Sequence, residues 1–168
     1  MVITGYAYKL GDNINTDVII SGRYKFQITD MKELSRHIFE DIDPDFAKNI
    51  KPGESIIVAG ENFGLGSSRE QAPLAIKAAG IVAVVAKSFA RIFFRNSFNV
   101  GLPLIELDTN PISQSDKLEI DLDNGRLTDL TKNKELKSKP IPPFMQDLLK
   151  EDGVINYFKK HGDLKFDI

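Results

Sequence analysis

The sequence predicts an α/β protein on a mainly parallel sheet, with an antiparallel hairpin towards its C-terminal end. Three observations predict it. From Ser55 onward, short apolar runs alternate with stretches of helical spacing, the pattern of parallel strands joined by right-handed crossovers. Within that region Ile81-Val-Ala-Val-Val-Ala86 has no polar residue, as expected of a strand covered on both faces. Further on, Lys117 to Leu122 and Arg126 to Leu130 alternate in polarity around Asp123-Asn-Gly125, a hairpin signal.

Taken in order, Val2 to Tyr8 alternates weakly and reads as a strand. The polar loop Gly11 to Asp17 follows, and Asp and Asn side chains satisfy their own backbone in turns, so loop architecture accounts for most of it. Asp17 abuts the apolar Val18-Ile-Ile20, where a carboxylate is expected to be rigidly held and partly desolvated. That makes it a candidate acid–base or orienting group. Ser21 to Asp30 reads as a connecting loop. A helix is expected from Met31 to Glu40, with Asp30 as N-cap, Glu33 completing a capping box, and His37 as a surface or packing residue. Asp41 to Gly53 reads as a charged linker in which Asp43 and Asp45 are simply solvated. Ile56 to Ala59 is a strand, and Pro73 to Ala79 a helix closed by Gly80 in the C′ position. Ser88 to Asn96 is a short helix turning Phe89, Ile92 and Phe93 inward, with Arg91 and Arg95 as surface or salt-bridging groups. Gly101 to Glu106 returns as a strand, and Lys132 to Lys139 is polar and expected to be mobile. Pro142-Pro143 opens a last pair of helices, Phe144 to Glu151 and Val154 to Lys160. Their Phe144, Leu148, Leu149, Ile155 and Phe158 are expected to close the core, and His161 to mark a helix end.

The 168 residues suit one domain spanning 1–168, with 42% hydrophobic and 27% charged residues, the balance of a soluble globular chain. A net charge of −2 with interspersed signs offers no basic face to nucleic acid. No segment approaches the roughly 20 apolar residues of a membrane helix, and no secretory signal is evident at the N-terminus, so the expected location is cytoplasmic. The absence of cysteine decides more. It removes disulfides, a thiolate nucleophile and iron–sulfur ligation by this chain. His37 and His161 lie far apart, so no self-contained zinc site is expected either, and any metal chemistry must come from a partner.

The chemistry concentrates in Gly60-Glu-Asn-Phe-Gly-Leu-Gly-Ser-Ser-Arg-Glu-Gln-Ala-Pro73, a glycine-rich turn between strand and helix. Such a turn leaves backbone N–H groups unpaired at the positive end of a helix, which is a place for an anion. Ser67 and Ser68 add hydroxyls, and Arg69 adds a guanidinium that grips a carboxylate through two parallel hydrogen bonds. The dinucleotide, phosphate-loop and serine-hydrolase patterns are all incomplete here. A competing reading makes the serines helix starts, since Ser67 with Glu70 and Ser68 with Gln71 satisfy the capping-box spacing. Pro73 argues against it, because proline is comfortable only near a helix start, so regular helix is expected to begin near Pro73.

Four blocks carry a resemblance: Asn15-Thr-Asp17-Val-Ile-Ile, Asn62-Phe-Gly-x-Gly-Ser-Ser-Arg-Glu70, Lys87-Ser-Phe-Ala-Arg-Ile-Phe93 and Asn99-x-Gly-Leu-Pro-Leu104. In this order, over essentially the whole chain, they resemble the small subunits of aconitase-type hydro-lyases. Most similar are the short prokaryotic small subunits of 3-isopropylmalate dehydratase and homoaconitase. The resemblance implies a swivelling β/β/α domain like the mobile last domain of aconitase. It also implies a large partner subunit, in a heterodimer or heterotetramer, that carries a [4Fe–4S] cluster on its own cysteines. By position, Ser67 would be the general base in its alkoxide form, Ser68 and Arg69 would bind a substrate carboxylate, and Asp17 would match an active-site aspartate.

Two departures from the family pattern bear on this expectation. Gln71 stands where the family usually has histidine, the one hint of a different class of function, a non-catalytic carboxylate-binding or regulatory subunit. In Tyr24-Lys25-Phe26, where relatives read the variable arm of the substrate, Phe26 suits an apolar arm while Lys25 suits an acidic one. The resemblance therefore implies interconversion of 2- and 3-isopropylmalate in leucine biosynthesis first, with homoaconitate or 2,3-dimethylmalate as alternatives.

Overall fold

Strand β1, Val2–Lys9, lies at the middle of a seven-stranded sheet that grows from it in two directions. On one side come three parallel neighbours in turn: β2 (Ser55–Ala59), β3 (Ile81–Ala86) and β4 (Leu104–Glu106). On the other side three antiparallel pairings add β5 (Lys117–Asp121), β6 (Arg126–Asp129) and β7 (Lys134–Lys137). The structure, a computed structural model, describes residues 1–162. The sheet is thus half parallel and half antiparallel, and the expected hairpin is the first part of a meander. Lys132 to Lys139, expected to be mobile, supplies β7. Its polar alternation is that of an edge strand, where only one face needs burying.

The two edges of the sheet meet at one corner. Two residues past β7, the Lys139 N–H donates to the Glu106 carbonyl at 2.9 Å, and the Lys139 ammonium pairs with the Glu106 carboxylate. The sheet therefore curls, and both faces of its β2 and β3 strands are covered, since the adjacent pairs Ile56–Ile57 and Val84–Val85 point to opposite faces and none is measurably exposed.

Helix α1 (Thr16–Ile19) is capped by the Asn15 side chain, which accepts the Val18 N–H at 2.9 Å. Next come α2 (Gly22–Lys25), inside the expected loop, and α3 (Met31–Leu34), on which Asp30 is the predicted N-cap, accepting from Glu33 N–H at 2.8 Å. The expected Met31–Glu40 helix stops early. It tightens into a 3-10 turn at Ser35–His37, and Phe39 takes φ +56° while donating its N–H to Ile19. Tertiary packing overrides helix propensity here, because Phe39 is fully buried with its ring 4.7 Å from Phe46 and 6.4 Å from Phe63. Phe46 opens α4 (Phe46–Asn49) in what the sequence suggested was linker. Asp43 is not merely solvated: it accepts the Tyr8 hydroxyl and the Asp45 N–H. Burial and this carboxylate together push the Tyr8 hydroxyl up to about 12.

Helix α5 (Gln71–Ala78) begins two residues before Pro73, which still falls in the first turn, where the missing N–H costs no hydrogen bond. Helix α6 (Arg91–Asn99) is shifted three residues from expectation, so Phe93 and Phe98 are buried while Ile92 is exposed. Helices α7 (Pro143–Lys150) and α8 (Val154–His161) cover one end of the core through Leu148, Leu149 and Tyr157. Phe144, Ile155 and Phe158, expected to close the core, are exposed instead, because α8 turns Tyr157 inward and leaves Ile155 and Phe158 on its outer face. Among the described residues no helix is long and apolar enough to cross a membrane.

Candidate active site at the strand ends

Three loops leave the C-terminal ends of β1, β2 and β3 and run side by side, the rim where open α/β sheets collect ligands. Backbone bonds zip the first two together: Gly60 N–H to Gly11, Asn13 to Glu61, Gly64 to Ile14, and Thr16 to Leu65, between 2.7 and 3.1 Å. The third is held by Lys87 N–H to Gly60, Phe63 to Ser88, and Ala90 to Phe63, between 2.9 and 3.1 Å. Glycine is required at the turn. Gly64 has φ +82°, and a Cβ there would stand 2.2 Å from Cγ of Phe93, so α6 packs directly on its backbone. Gly66, at φ +100°, then turns the chain into Ser67.

The serines cap nothing. The N-cap position of α5 is Glu70, with no side-chain hydrogen bond, and the backbone N–H groups of Ser67, Ser68 and Arg69 find no internal acceptor among the described residues. Thr16, fully buried on α1, donates its hydroxyl to the Ser67 carbonyl at 3.0 Å and lies 3.4 Å from Ser67 Oγ. It thereby fixes both the backbone and the side chain of the exposed serine. A cavity of about 180 Å³ is lined by Thr16, Ser67, Ser68 and Arg69, and by Arg91 and Phe93 of α6.

Arg69 is the most constrained of these groups, with 15% of its side chain exposed. It forms an ion pair with Asp17, yet its buried Nε and Nη1 make no hydrogen bond. The pair is therefore one of proximity, without an aligned N–H, and it leaves Nε and Nη1 buried without a hydrogen-bond acceptor in the chain. Asp17 is not desolvated as expected: 62% of its side chain is exposed. Helical spacing explains it, since α1 turns Thr16 and Ile19 inward and Asp17 outward.

Tyr24, Lys25 and Phe26 do not line this cavity. The Tyr24 ring stacks on His37 at 3.9 Å, and His37 Nδ1 lies 3.0 Å from Glu40. Burial pushes the Glu40 carboxyl up, but hydrogen bonds with His37 and Tyr24 outweigh it and hold the group below its usual value. Lys25 Nζ sits 5.1 Å over the Phe26 ring, and Phe26 is 83% exposed. Thr16 was not singled out from sequence, and Arg91, read there as a surface or salt-bridging group, makes no salt bridge among the described residues and lines the cavity. Each is the first residue of the helix that follows a strand-end loop, and that shared rim is the signal that would have found them.

A larger, more open cleft of about 700 Å³ runs past Glu61, Lys87, Glu106 and Lys139. Part of its charge is spent internally, Lys139 on Glu106 and Glu61 on the Ser88 hydroxyl, so the smaller cavity is the better anion site. The chain has no cysteine, and among the described residues no three His, Asp or Glu side chains gather to hold a metal ion. An iron–sulfur cluster does not fit on this chain.

Residues 13–110, which span all three rim loops, match the family model described as the aconitase C-terminal domain. A 3-isopropylmalate dehydratase small subunit from Archaeoglobus fulgidus is 54% identical, over 98% of this chain and 99% of its own. One from Thermotoga maritima is 56% identical, over 96% and 97%. The crystal structure of a 3-isopropylmalate dehydratase from Methanocaldococcus jannaschii superposes with a TM-score of 0.92 at 49% identity, covering 96% of each chain. With a matching domain model, near-full-length identity above half and a shared fold, the chain belongs to the aconitase C-terminal domain family, among its 3-isopropylmalate dehydratase small subunits.

Proposed function

We propose that this chain is the small subunit of a cytoplasmic 3-isopropylmalate dehydratase, interconverting 2- and 3-isopropylmalate together with a large partner subunit in leucine biosynthesis. The observation that carries the reading is one cavity lined by Arg69, whose buried Nε and Nη1 lack an acceptor, and by Ser67 and Ser68, in a turn whose three backbone N–H groups are unpaired among the described residues. It is a site for a carboxylate with a reactive hydroxyl beside it. Ser68 and Arg69 hold the carboxylate next to the carbon that loses a proton. Ser67, oriented by Thr16, takes that proton, and the Arg69 charge favours its alkoxide form. Asp17 restrains Arg69 from the solvent side. The partner's [4Fe–4S] cluster supplies a Lewis acid for the leaving hydroxyl. Phe26, exposed beyond the cavity, meets the isopropyl arm.

The test is Ser67→Ala in the enzyme reconstituted with its cluster-bearing partner. Loss of a general base is expected to lower kcat by about 10²–10⁴-fold with subunit assembly intact. Unchanged turnover would remove Ser67 from the mechanism.

A further inference from the structure

We propose that Arg91 is a second carboxylate-binding cation of the Ser67 cavity, holding the substrate carboxylate that Arg69 does not. This rests on the proposal that the cavity takes a hydroxy-dicarboxylate. Arg91 lines the same cavity as Ser67, Ser68 and Arg69, and no acidic residue lines it. Two arginines therefore line one small space to which no acidic residue of the chain contributes. Asp17 meets Arg69 from outside the lining, and Arg91 itself makes no hydrogen bond, ion pair or ring contact among the described residues.

The local structure gives Arg91 nothing in return for its position. It is the first residue of α6, where unpaired N–H groups already concentrate positive charge, and Ala90 at the N-cap has no side chain to satisfy them. A cation at that end opposes the helix dipole, so helix stability does not account for it. A carboxylate beside Arg91 would be drawn by the side chain and the helix end together. At about 180 Å³ the cavity is smaller than the ~300–1,000 Å³ of sites that enclose a drug-sized ligand. It suits the carboxylate end of a small acid, with the rest of the molecule covered from the partner's side.

Substrate anchoring that is equal in ground and transition states appears in KM. In the reconstituted enzyme acting on 3-isopropylmalate, Arg91→Gln is expected to raise KM about 10–100-fold with kcat within about threefold, and Arg91→Lys to raise it less. The dissociation constant for the large subunit should stay within about twofold. The free Arg91→Gln subunit should melt no lower than the parent, because the change removes a cation from a helix N-terminus. An unchanged KM would overturn the proposal. So would weakened assembly whose KM recovers at saturating large subunit, which would make Arg91 an interface contact, and so would a lowered melting temperature, which would make it structural. Ser67→Ala and Arg69→Gln run alongside. If they too are silent, the cavity is not the active site; if they lose activity and only Arg91→Gln is silent, this inference alone fails.

Discussion

Lys132→Met should destabilise the protein by about 3 kcal/mol at pH 7, with a cost that shrinks as the pH falls. The Lys132 ammonium ties the turn after β6 to the loop before β5, donating to the Pro111 carbonyl at 2.7 Å, Ser113 Oγ at 2.7 Å and Asp116 Oδ2 at 2.5 Å. It also lies 3.7 Å from Asp129 Oδ2, a buried oxygen with no hydrogen bond. The two carboxylates are 6% and 2% exposed, and Lys132 is 36% exposed. Methionine keeps the aliphatic stem and removes the charge, leaving two buried carboxylates facing each other. Breaking a buried charge cluster costs about 3–5 kcal/mol, and partial solvent access to Lys132 places this case at the low end. For a chain of this length that corresponds to a fall of about 9 °C in Tm. Burial alone would raise the Asp116 carboxyl, but Lys132 and the Ser113 N–H outweigh it and hold the group low. In the parent, its stabilising contribution is present above the unfolded value of about 3.9 and lost as pH falls through the folded one. In the variant the cation is gone and burial dominates, so the carboxyl titrates above its unfolded value and acid stabilises the fold relative to neutral pH. Urea unfolding of both proteins at pH 7, 5 and 4 measures the gap. A gap below about 1 kcal/mol at pH 7, or one that is constant down to pH 4, would refute the reasoning.

Two further changes probe the rim loops. Gly64→Ala puts a methyl 2.2 Å from Phe93 Cγ at φ +82°, whereas Gly66→Ala meets nothing closer than Thr16 Oγ1 at 3.4 Å. The first should cost about 3 kcal/mol and the second about 1 kcal/mol, since both carry backbone strain and only the first overpacks. Equal urea midpoints for the two would deny the Phe93 contact any role. Asn15→Ala removes the α1 cap and should cost about 1 kcal/mol in the same assay. Because α1 carries Thr16 and Asp17, kcat of the reconstituted enzyme should fall as well, and an unchanged kcat would detach α1 from the chemistry.

What could be read from the sequence follows how locally each feature is determined. β3 is legible because six apolar residues in a row have few alternatives, and the Gly60–Arg69 turn because the positive φ of Gly64 and Gly66 and the close packing on Gly60 and Gly64 call for glycine. The end of α3 is not legible locally. Nothing at Phe39 itself breaks a helix; what ends it is the packing of its ring against Phe46 and Phe63, the second of them 24 residues away. β7 was hidden for the opposite reason, since an edge strand with polar faces has the composition of a loop. At the site, Ser67, Ser68 and Arg69 are contiguous and could be found together, while Asp17 stands out by abutting the apolar Val18-Ile-Ile20 and is then matched by the resemblance. Arg91 lies 22 residues past Arg69 and reaches the cavity only because the Phe63 and Ala90 backbones are bonded across two loops.

Gln71 shows how structure changes the weight of a sequence departure. Where the family usually has histidine after Arg-Glu, a side chain bonded to Ser67 or Arg69 would make its replacement serious for catalysis. Gln71 instead opens α5, makes no hydrogen bond or ring contact among the described residues, and does not line the cavity. Exchanging that residue orphans no buried group among the described residues of this chain. The case for a purely carboxylate-binding subunit rested on this position and is correspondingly weaker. Gripping a carboxylate needs Arg69, with Ser68 and the free N–H groups beside it. It does not need Ser67 held by a fully buried threonine that bonds its carbonyl and sits 3.4 Å from its hydroxyl. That placement serves a hydroxyl that must meet one atom of the substrate, which is what a base requires and a clamp does not.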